Sequence, residues 1–170
     1  MKGSFESIES TSLAPCRQCI QRILVPVDFS HLGEAAIYYS RELAVNLGAQ
    51  LHLVHVLESI AHAREYATVL VDGVRARAQY RDHLLEIQYG LLADVHTEAS
   101  VREGSPFQEI VAASQEQNCD LIIMSSHGRT GLMHVLLGST SERVLRHSTR
   151  PVLVVPAAFA DAKRLGLASS

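Results

Sequence analysis

The stretch Leu121-Ile-Ile-Met-Ser-Ser-His-Gly-Arg-Thr-Gly131 decides the fold of this 170-residue chain. Its first four residues are all apolar, which predicts a short strand over 121–125 that is buried on both faces. A polar loop with two glycines follows. A helix is predicted next over 139–147, with Gly138 at its start. The stretch therefore predicts a strand, a glycine-containing loop and a helix, in that order.

The same alternation recurs on both sides of this stretch. Further buried strands are predicted over 22–28, 50–57, 95–101 and 151–155. A first helix is predicted from Ser30, which would be its N-cap, to Gly48. A second is predicted over 64–91, either continuous or broken at Gly73. A third begins at Pro106. Strands that alternate with helices form βαβ units with right-handed crossovers. The sequence therefore predicts a Rossmann-like α/β fold, namely a doubly wound five-stranded parallel sheet of order 3-2-1-4-5 with helices on both faces.

Composition and charge narrow the class of protein. The chain has a mass of 18.6 kDa, 47% hydrophobic residues and 19% charged residues, which suits one domain with its own core. A net charge of −3 argues against a protein that binds nucleic acid through its phosphates. The sequence contains neither an apolar run long enough to span a membrane nor a secretory signal. We therefore expect a soluble cytoplasmic protein that binds neither nucleic acid nor membrane.

Three segments are predicted along the chain. Residues 1–20 form a flexible arm with the motif Cys16-Arg-Gln-Cys19, residues 21–157 form the folded domain, and residues 158–170 form a tail. Both docking of the tail as a helical turn and fraying remain open. With three cysteines the chain has no paired disulfide framework, which favours a reducing compartment.

The fold predicts a ligand site where the distinctive residues lie. Ligands of doubly wound sheets bind at the carboxyl ends of the strands, where the strand order reverses. Here that place is next to Pro26-Val27-Asp28 and Met124–Gly128. The free N–H groups of a helix that starts at Gly138-Ser139 favour a phosphate. Further hydrogen-bond donors are the hydroxyls of Ser139, Thr140 and Ser141, and Arg129 could supply a positive charge.

The alternative is a solvated loop followed by a capping box from Ser139 to Glu142, which needs no ligand. Two familiar phosphate-binding motifs are excluded. The only lysines are Lys2 and Lys163, so there is no Walker lysine, and no G-x-G-x-x-G follows the first strand.

Five segments of the sequence resemble the universal stress protein family. They are Ile-Leu-Val-Pro-Val-Asp-Phe-Ser at 23–30, His-Val at 55–56, the run 120–131, Leu-Leu-Gly-Ser-Thr-Ser-Glu-Arg-Val-Leu at 136–145 and Pro-Val-Leu-Val-Val-Pro at 151–156. The resemblance spans residues 22–156 and implies an adenine nucleotide alpha hydrolase-like fold. ATP-binding members carry Gly, two residues, Gly, nine residues, then Gly with Ser or Thr. Gly128, Gly138 and Ser139 match this pattern, but Ser125 replaces the first glycine.

The resemblance implies a role for each matching residue. Asp28 would meet the ribose hydroxyls or a Mg²⁺ ion bound to the phosphates, and Met124 would pack near the sugar. The backbone of Pro26, Val27 and Val56 would frame the adenine. The phosphates would be held by Ser125, His127, Gly128, Gly138, Ser139, Thr140 and Ser141. The implied cofactor is ATP with Mg²⁺, and the implied partner is a second copy joined through the last strand, Pro151 to Val155.

Three functions follow from this resemblance. The first is a stress-response protein in which ATP biases a homodimer and so tunes its partners. The second is a dimeric interaction protein with an empty pocket, which the serine at position 125 keeps open. The third is a slow ATPase; the sequence offers no residue obviously placed to activate water and no loop lysine, so at most weak hydrolysis and no catalytic residue are predicted.

The cysteines are not explained by the resemblance. Cys19 and Cys119 precede neighbouring strands 1 and 4, and His52 lies at the same end of the sheet. With Cys16 they form a hypothetical zinc or redox site, whereas a reduced dithiol in the arm is the alternative. His52 and His55 are predicted as core or edge residues. Of the nine histidines, only His127 is placed in the ligand site.

Overall fold

The structure, a computed structural model, describes residues 20–58, 67–127, 137–156 and 158–164. At residues 67–73 and 163–164 it describes the backbone alone. Five strands and five helices alternate in the described ranges. In chain order they are β1 (Arg22–Pro26), α1 (Glu34–Leu47), β2 (Gln50–Glu58), α2 (Ala67–Tyr89), β3 (Thr97–Gly104), α3 (Pro106–Glu116), β4 (Leu121–Ser125), α4 (Ser139–His147), β5 (Val152–Val155) and α5 (Ala158–Arg164).

All strand pairs are parallel, and the order of the strands is β3-β2-β1-β4-β5, as the sequence predicts. Each face of the sheet carries its own hydrophobic cluster. Ile23 and Val25 of β1 face α1, α2 and α5, whereas Leu24 between them faces α3 and α4. Because both faces are covered, consecutive residues of the central strands are apolar, and this is why the strands were recognisable in the sequence.

Two helix boundaries differ from the prediction. Helix α1 begins at Glu34 with Gly33 as the N-cap, so the prediction of Ser30 as N-cap is wrong. The Ser30 hydroxyl donates to Asp28 Oδ1 and accepts from Gly33 N–H, which forms a turn ahead of the helix. Helix α2 is continuous through Gly73, so the alternative of a helix broken at this glycine is wrong.

The first described part of the tail is a docked helix. Ala160 of α5 is buried in the core, and the ring of Phe159 contacts that of Tyr39 of α1 edge-on at 5.5 Å. Of the arm predicted over residues 1–20, residues 1–19 lie outside the described residues. Among the helices that the structure describes, none combines the length and the apolar character needed to cross a bilayer.

Candidate functional site

A cleft of about 700 Å³ lies at the carboxyl edge of the sheet, between the ends of β1 and β4 where the strand order reverses. Its lining includes most of the predicted site residues, namely Pro26, Val27, Asp28, Val56, Met124, Ser125, His127, Gly138, Ser139, Thr140 and Ser141. Gly128 and Arg129 lie outside the described residues. The strand ends, together with α2, α3 and the start of α4, therefore form one concave surface.

A tight turn after β1 fixes the carboxylate of Asp28. Its Oδ1 accepts hydrogen bonds from the Ser30 N–H at 3.0 Å and from the Ser30 hydroxyl at 2.7 Å. A Cβ added at Gly33 would lie 2.4 Å from this same oxygen, so only glycine leaves room for the carboxylate. Phe29, between Asp28 and Ser30, has a φ of 58°, in the left-handed region that is uncommon for a bulky residue. The turn thus holds a negative charge in the lining of the cleft.

Hydrogen bonds tie the end of β4 to the start of α4. The Ser141 hydroxyl donates to the Ser125 carbonyl at 3.0 Å, and the Gly138 N–H donates to the Ser126 carbonyl at 2.8 Å. Ser141 is buried and was predicted as a phosphate donor; its hydroxyl proton is used in this internal bond instead. The Ser125 hydroxyl donates to the His127 carbonyl at 2.5 Å. These contacts place the first turn of α4 beside the strand end.

No side chain among the described residues caps the N-terminus of α4. The N-cap is Gly138, with an extended backbone, so the alternative of a capping box that starts at Ser139 is wrong. Glu142, its expected partner, has its carboxylate paired with Arg146 at 2.8 Å. Ser139 is exposed and Thr140 half-buried, and both line the cleft. The helix therefore presents its positive end and two hydroxyls to the cleft.

Val56 marks the place where β2 extends beyond β1. Gln50 N–H donates to the Gln21 carbonyl and Val27 N–H donates to the Val54 carbonyl, so even-numbered residues of β2 turn their backbone groups toward β1. The β1 ladder ends at Pro26, paired with Val54. The N–H and C=O of Val56 therefore point past the end of β1 into the cleft, one donor beside one acceptor.

Sequence reasoning missed His55 and Tyr80 as residues of this site. Both line the cleft. His55 is buried, as predicted for a core histidine, and its Nδ1 lies 2.6 Å from the Val27 carbonyl. The ring of Tyr80 lies 4.4 Å from that of His55. The adjacent His-Val pair and the four-residue spacing of Ala76 and Tyr80 on α2 were the available signals.

A second cleft, of about 300 Å³, lies at the opposite edge of the sheet and includes His52 and Cys119 in its lining. These are two of the four residues of the hypothetical zinc or redox site; Cys16 and Cys19 lie outside the described residues. Burial, reinforced by Asp120, raises the pKa of the Cys119 thiol to about 11. Burial also lowers the pKa of His52, whose Nε2 lies 3.1 Å from Ser100 Oγ.

Within the described ranges, no three His, Cys, Asp or Glu side chains are placed to hold a metal. At neutral pH and without a metal the Cys119 side chain is a protonated thiol, which is a poor nucleophile toward a disulfide. The zinc or redox site stays a prediction, and Cys119 by itself does not form one.

A doubly wound parallel sheet with a cleft at its switch point defines a Rossmann-like α/β fold, a class in which ligands bind at the carboxyl ends of the strands. Comparison with known proteins makes the class specific. The universal stress protein family matches residues 20–156, and the chain belongs to that family.

Three similar proteins illustrate the relationship. Universal stress protein MJ0577 of Methanocaldococcus jannaschii is 28% identical over 152 residues, which cover 79% of this chain and 94% of that protein. The solved universal stress protein UspA of Lactobacillus plantarum is 25% identical, with a TM-score of 0.71 over 80% of this chain and 97% of its own. A universal stress protein solved in complex with cAMP is 23% identical, with a TM-score of 0.55 over 82% of this chain and 98% of its own, and shares the fold.

Proposed function

We propose that this protein binds ATP, or another adenine nucleotide, with Mg²⁺ in the cleft between β1 and β4, and acts in the cytoplasm as a homodimeric switch biased by the nucleotide. One observation carries the proposal. A single cleft is lined by the N-terminus of α4, which no described side chain caps, by the carboxylate of Asp28 and by the open backbone edge of Val56. These groups match the phosphate, sugar and base of a nucleotide.

The base end of the cleft suits adenine. The Val56 backbone offers an N–H donor beside a C=O acceptor, whereas adenine offers the N1 acceptor beside the N6 amino donor. Guanine carries the opposite arrangement, with N1–H as donor and O6 as acceptor, so in the orientation that pairs adenine it would set donor against donor and acceptor against acceptor. Apolar side chains of Ile110 and Met124 line the same cleft and supply the surface for a planar ring.

The phosphate end is the start of α4. Its free N–H groups and the hydroxyls of Ser139 and Thr140 favour a polyanion. Gly128 is added to this end by the family resemblance, and Arg129 by the positive charge that it brings to the same loop. The Asp28 carboxylate is a hard oxygen donor of the kind that Mg²⁺ accepts together with phosphate oxygens, and it is also a suitable acceptor for ribose hydroxyls.

A relative of the same fold supports an adenine nucleotide as the ligand class, because that universal stress protein was solved in complex with cAMP. The serine at position 125 is compatible with this proposal on conformational grounds. Ser125 is the last residue of β4 and is not among the described residues with positive φ, so its backbone does not require glycine. The Cβ of Ser125 takes up space beside the proposed phosphate site, and Ser125→Gly tests its effect on binding.

A pocket-empty interaction protein is the second candidate, and Ser125 is the observation that favours it. Its hydroxyl is already hydrogen-bonded to the His127 carbonyl, so it is not simply a spare donor for a phosphate. A slow ATPase is the third candidate. The chain has only Lys2 and Lys163 as lysines, and no lysine is among the described residues that line the cleft, so we propose at most weak hydrolysis.

The proposed dimer forms through the last strand. β5 lies at one edge of the sheet, and Val152, Leu153 and Val154 are only partly buried. An apolar edge strand with unpaired backbone groups is a surface that proteins cover. A second copy of this chain, placed on Pro151 to Val155, would cover it.

Calorimetric titration with ATP and Mg²⁺, beside AMP and the variant Asp28→Ala, tests the proposal. Micromolar ATP binding that weakens at least tenfold in the variant is the expected result. Sedimentation with and without ATP then tests the switch, which predicts a shift in the monomer–dimer equilibrium. If nucleotide-free wild-type protein gives no heat at concentrations that detect weak binding, the pocket-empty dimer becomes the better description.

A further inference from the structure

The ladder between β1 and β2 ends one hydrogen bond early. Val27 N–H donates to the Val54 carbonyl, and in a parallel pair the next bond would run from Val56 N–H to the Val27 carbonyl. Within the described residues that bond is not formed. The Val27 carbonyl instead pairs with His55 Nδ1 at 2.6 Å. Because a carbonyl can only accept, Nδ1 carries the proton.

The His55 ring is held firmly in this position. It is buried, and its centroid lies 4.4 Å from that of Tyr80 and 4.7 Å from that of Phe29. Phe29 belongs to the turn after β1 and has a φ of 58°. The rings on the α2 face of the sheet therefore fix a side-chain donor on the one carbonyl that would otherwise close the ladder.

We infer that His55 is a positioning residue for base recognition, a role that rests on the proposed function. By occupying the Val27 carbonyl, it keeps the Val56 N–H open for the N1 acceptor of adenine. Without the imidazole, the Val27 carbonyl is left in the interior with no donor, and the Val56 N–H is the nearest backbone group in the ladder that can satisfy it. His55 thus determines base selectivity through the Val56 N–H.

The test compares ATP with 1-deaza-ATP, in which a C–H replaces N1. Wild-type protein is expected to prefer ATP by roughly three- to tenfold, the worth of one hydrogen bond. His55→Phe keeps an aromatic ring against Tyr80 and Phe29 but removes the donor, and the preference is expected to fall toward one. His55→Asn, whose amide can donate from a similar position, is expected to restore it. His52→Phe, at the other histidine of β2, is the matched control and is expected to keep the wild-type preference.

A merely structural role would weaken both nucleotides equally and leave their ratio unchanged; that result in His55→Phe, with ATP still bound, overturns the inference. Absence of ATP binding by the wild type would instead refute the proposed function. Amide hydrogen exchange of the nucleotide-free wild type adds a measurement that needs no variant. The Val56 amide is expected to exchange at least tenfold faster than that of Val54, and equal protection of the two amides would overturn the inference.

Discussion

The substitution Gly33→Ala tests how the carboxylate of Asp28 is held. Gly33 has φ of −66° and ψ of −25°, a conformation that alanine adopts readily, so its backbone alone predicts stabilisation by about 0.4–1 kcal/mol. The new Cβ, however, would lie 2.4 Å from Asp28 Oδ1. Since that atom ends a side chain that can rotate, the expected outcome is displacement of the carboxylate.

The magnitude follows from the bonds that the displaced carboxylate loses. Asp28 Oδ1 accepts two hydrogen bonds from Ser30, at 3.0 and 2.7 Å. Because Asp28 is only half-buried, the loss is taken as about 1–3 kcal/mol for the pair. After the gain from alanine, Gly33→Ala is expected to lower the free energy of unfolding by roughly 0–2.6 kcal/mol, with a central value of about 1.3 kcal/mol, as measured by urea denaturation. ATP affinity is expected to fall in parallel, since the carboxylate has moved.

A double-mutant cycle isolates the collision. In an Asp28→Ala background no carboxylate opposes the new Cβ, so Gly33→Ala is expected to be neutral or to stabilise by up to ~1 kcal/mol. The remaining contacts, 3.2 Å to the Ser30 carbonyl and hydroxyl oxygens, can ease by a few tenths of an ångström. An equal cost of Gly33→Ala in both backgrounds would refute the reasoning, because the cost would then not arise at Asp28.

Three further predictions concern the ends of the sheet. Ser125→Gly removes the hydrogen bond from the Ser125 hydroxyl to the His127 carbonyl and is expected to lower the free energy of unfolding by about 1 kcal/mol. In calorimetry the ATP affinity of this variant is expected to be unchanged or raised. Weaker ATP binding would contradict the view that the Cβ of Ser125 crowds the phosphates. In a variant with Cys16 and Cys19 replaced by serine, Cys119 is expected to resist iodoacetamide at pH 8 until urea unfolds the protein. The reason is that the Cys119 thiol is buried and its pKa is raised to about 11. Rapid labelling of the folded protein would contradict this burial. Burial lowers the pKa of His52 below its usual 6.5, so the unfolded chain binds the proton more readily than the folded protein. Stability is therefore expected to fall as the pH drops below about 6.5, and His52→Gln is expected to reduce this slope in urea titrations across pH 5–8. An identical slope in the variant would contradict this assignment.

The strands could be predicted because runs of consecutive apolar residues indicate burial on both faces of a sheet. Ile23, Leu24 and Val25 are each fully buried on alternating faces, and a run of this kind is visible without any long-range information. The alternation of these runs with helices then determined the topology. The strand order and the place of the cleft followed from general rules for such sheets.

Helix starts and parts of the site were less predictable because distant partners decide them. Ser30 looks like an N-cap, but its hydroxyl is engaged by Asp28, and the cap moves to Gly33. Ser141 looks like a phosphate donor, but its proton goes to the Ser125 carbonyl. His55 looks like an ordinary core histidine, and nothing in its neighbours along the chain indicates that it pairs with Val27.

The pairing of β1 with β4 also bears on how the protein folds. Gln21 N–H donates to the carboxylate of Asp120, a residue 99 positions away, and β1 and β4 are the central neighbours of the sheet. Closing so long a segment is entropically costly and slows folding, whereas β1, β2 and β3 are joined in sequence and can associate earlier. The cleft needs the ends of both β1 and β4, so a chain in which these two strands are not paired lacks it. Ligand binding to this cleft would therefore report completion of the whole sheet, and a ligand would slow global unfolding more than local opening.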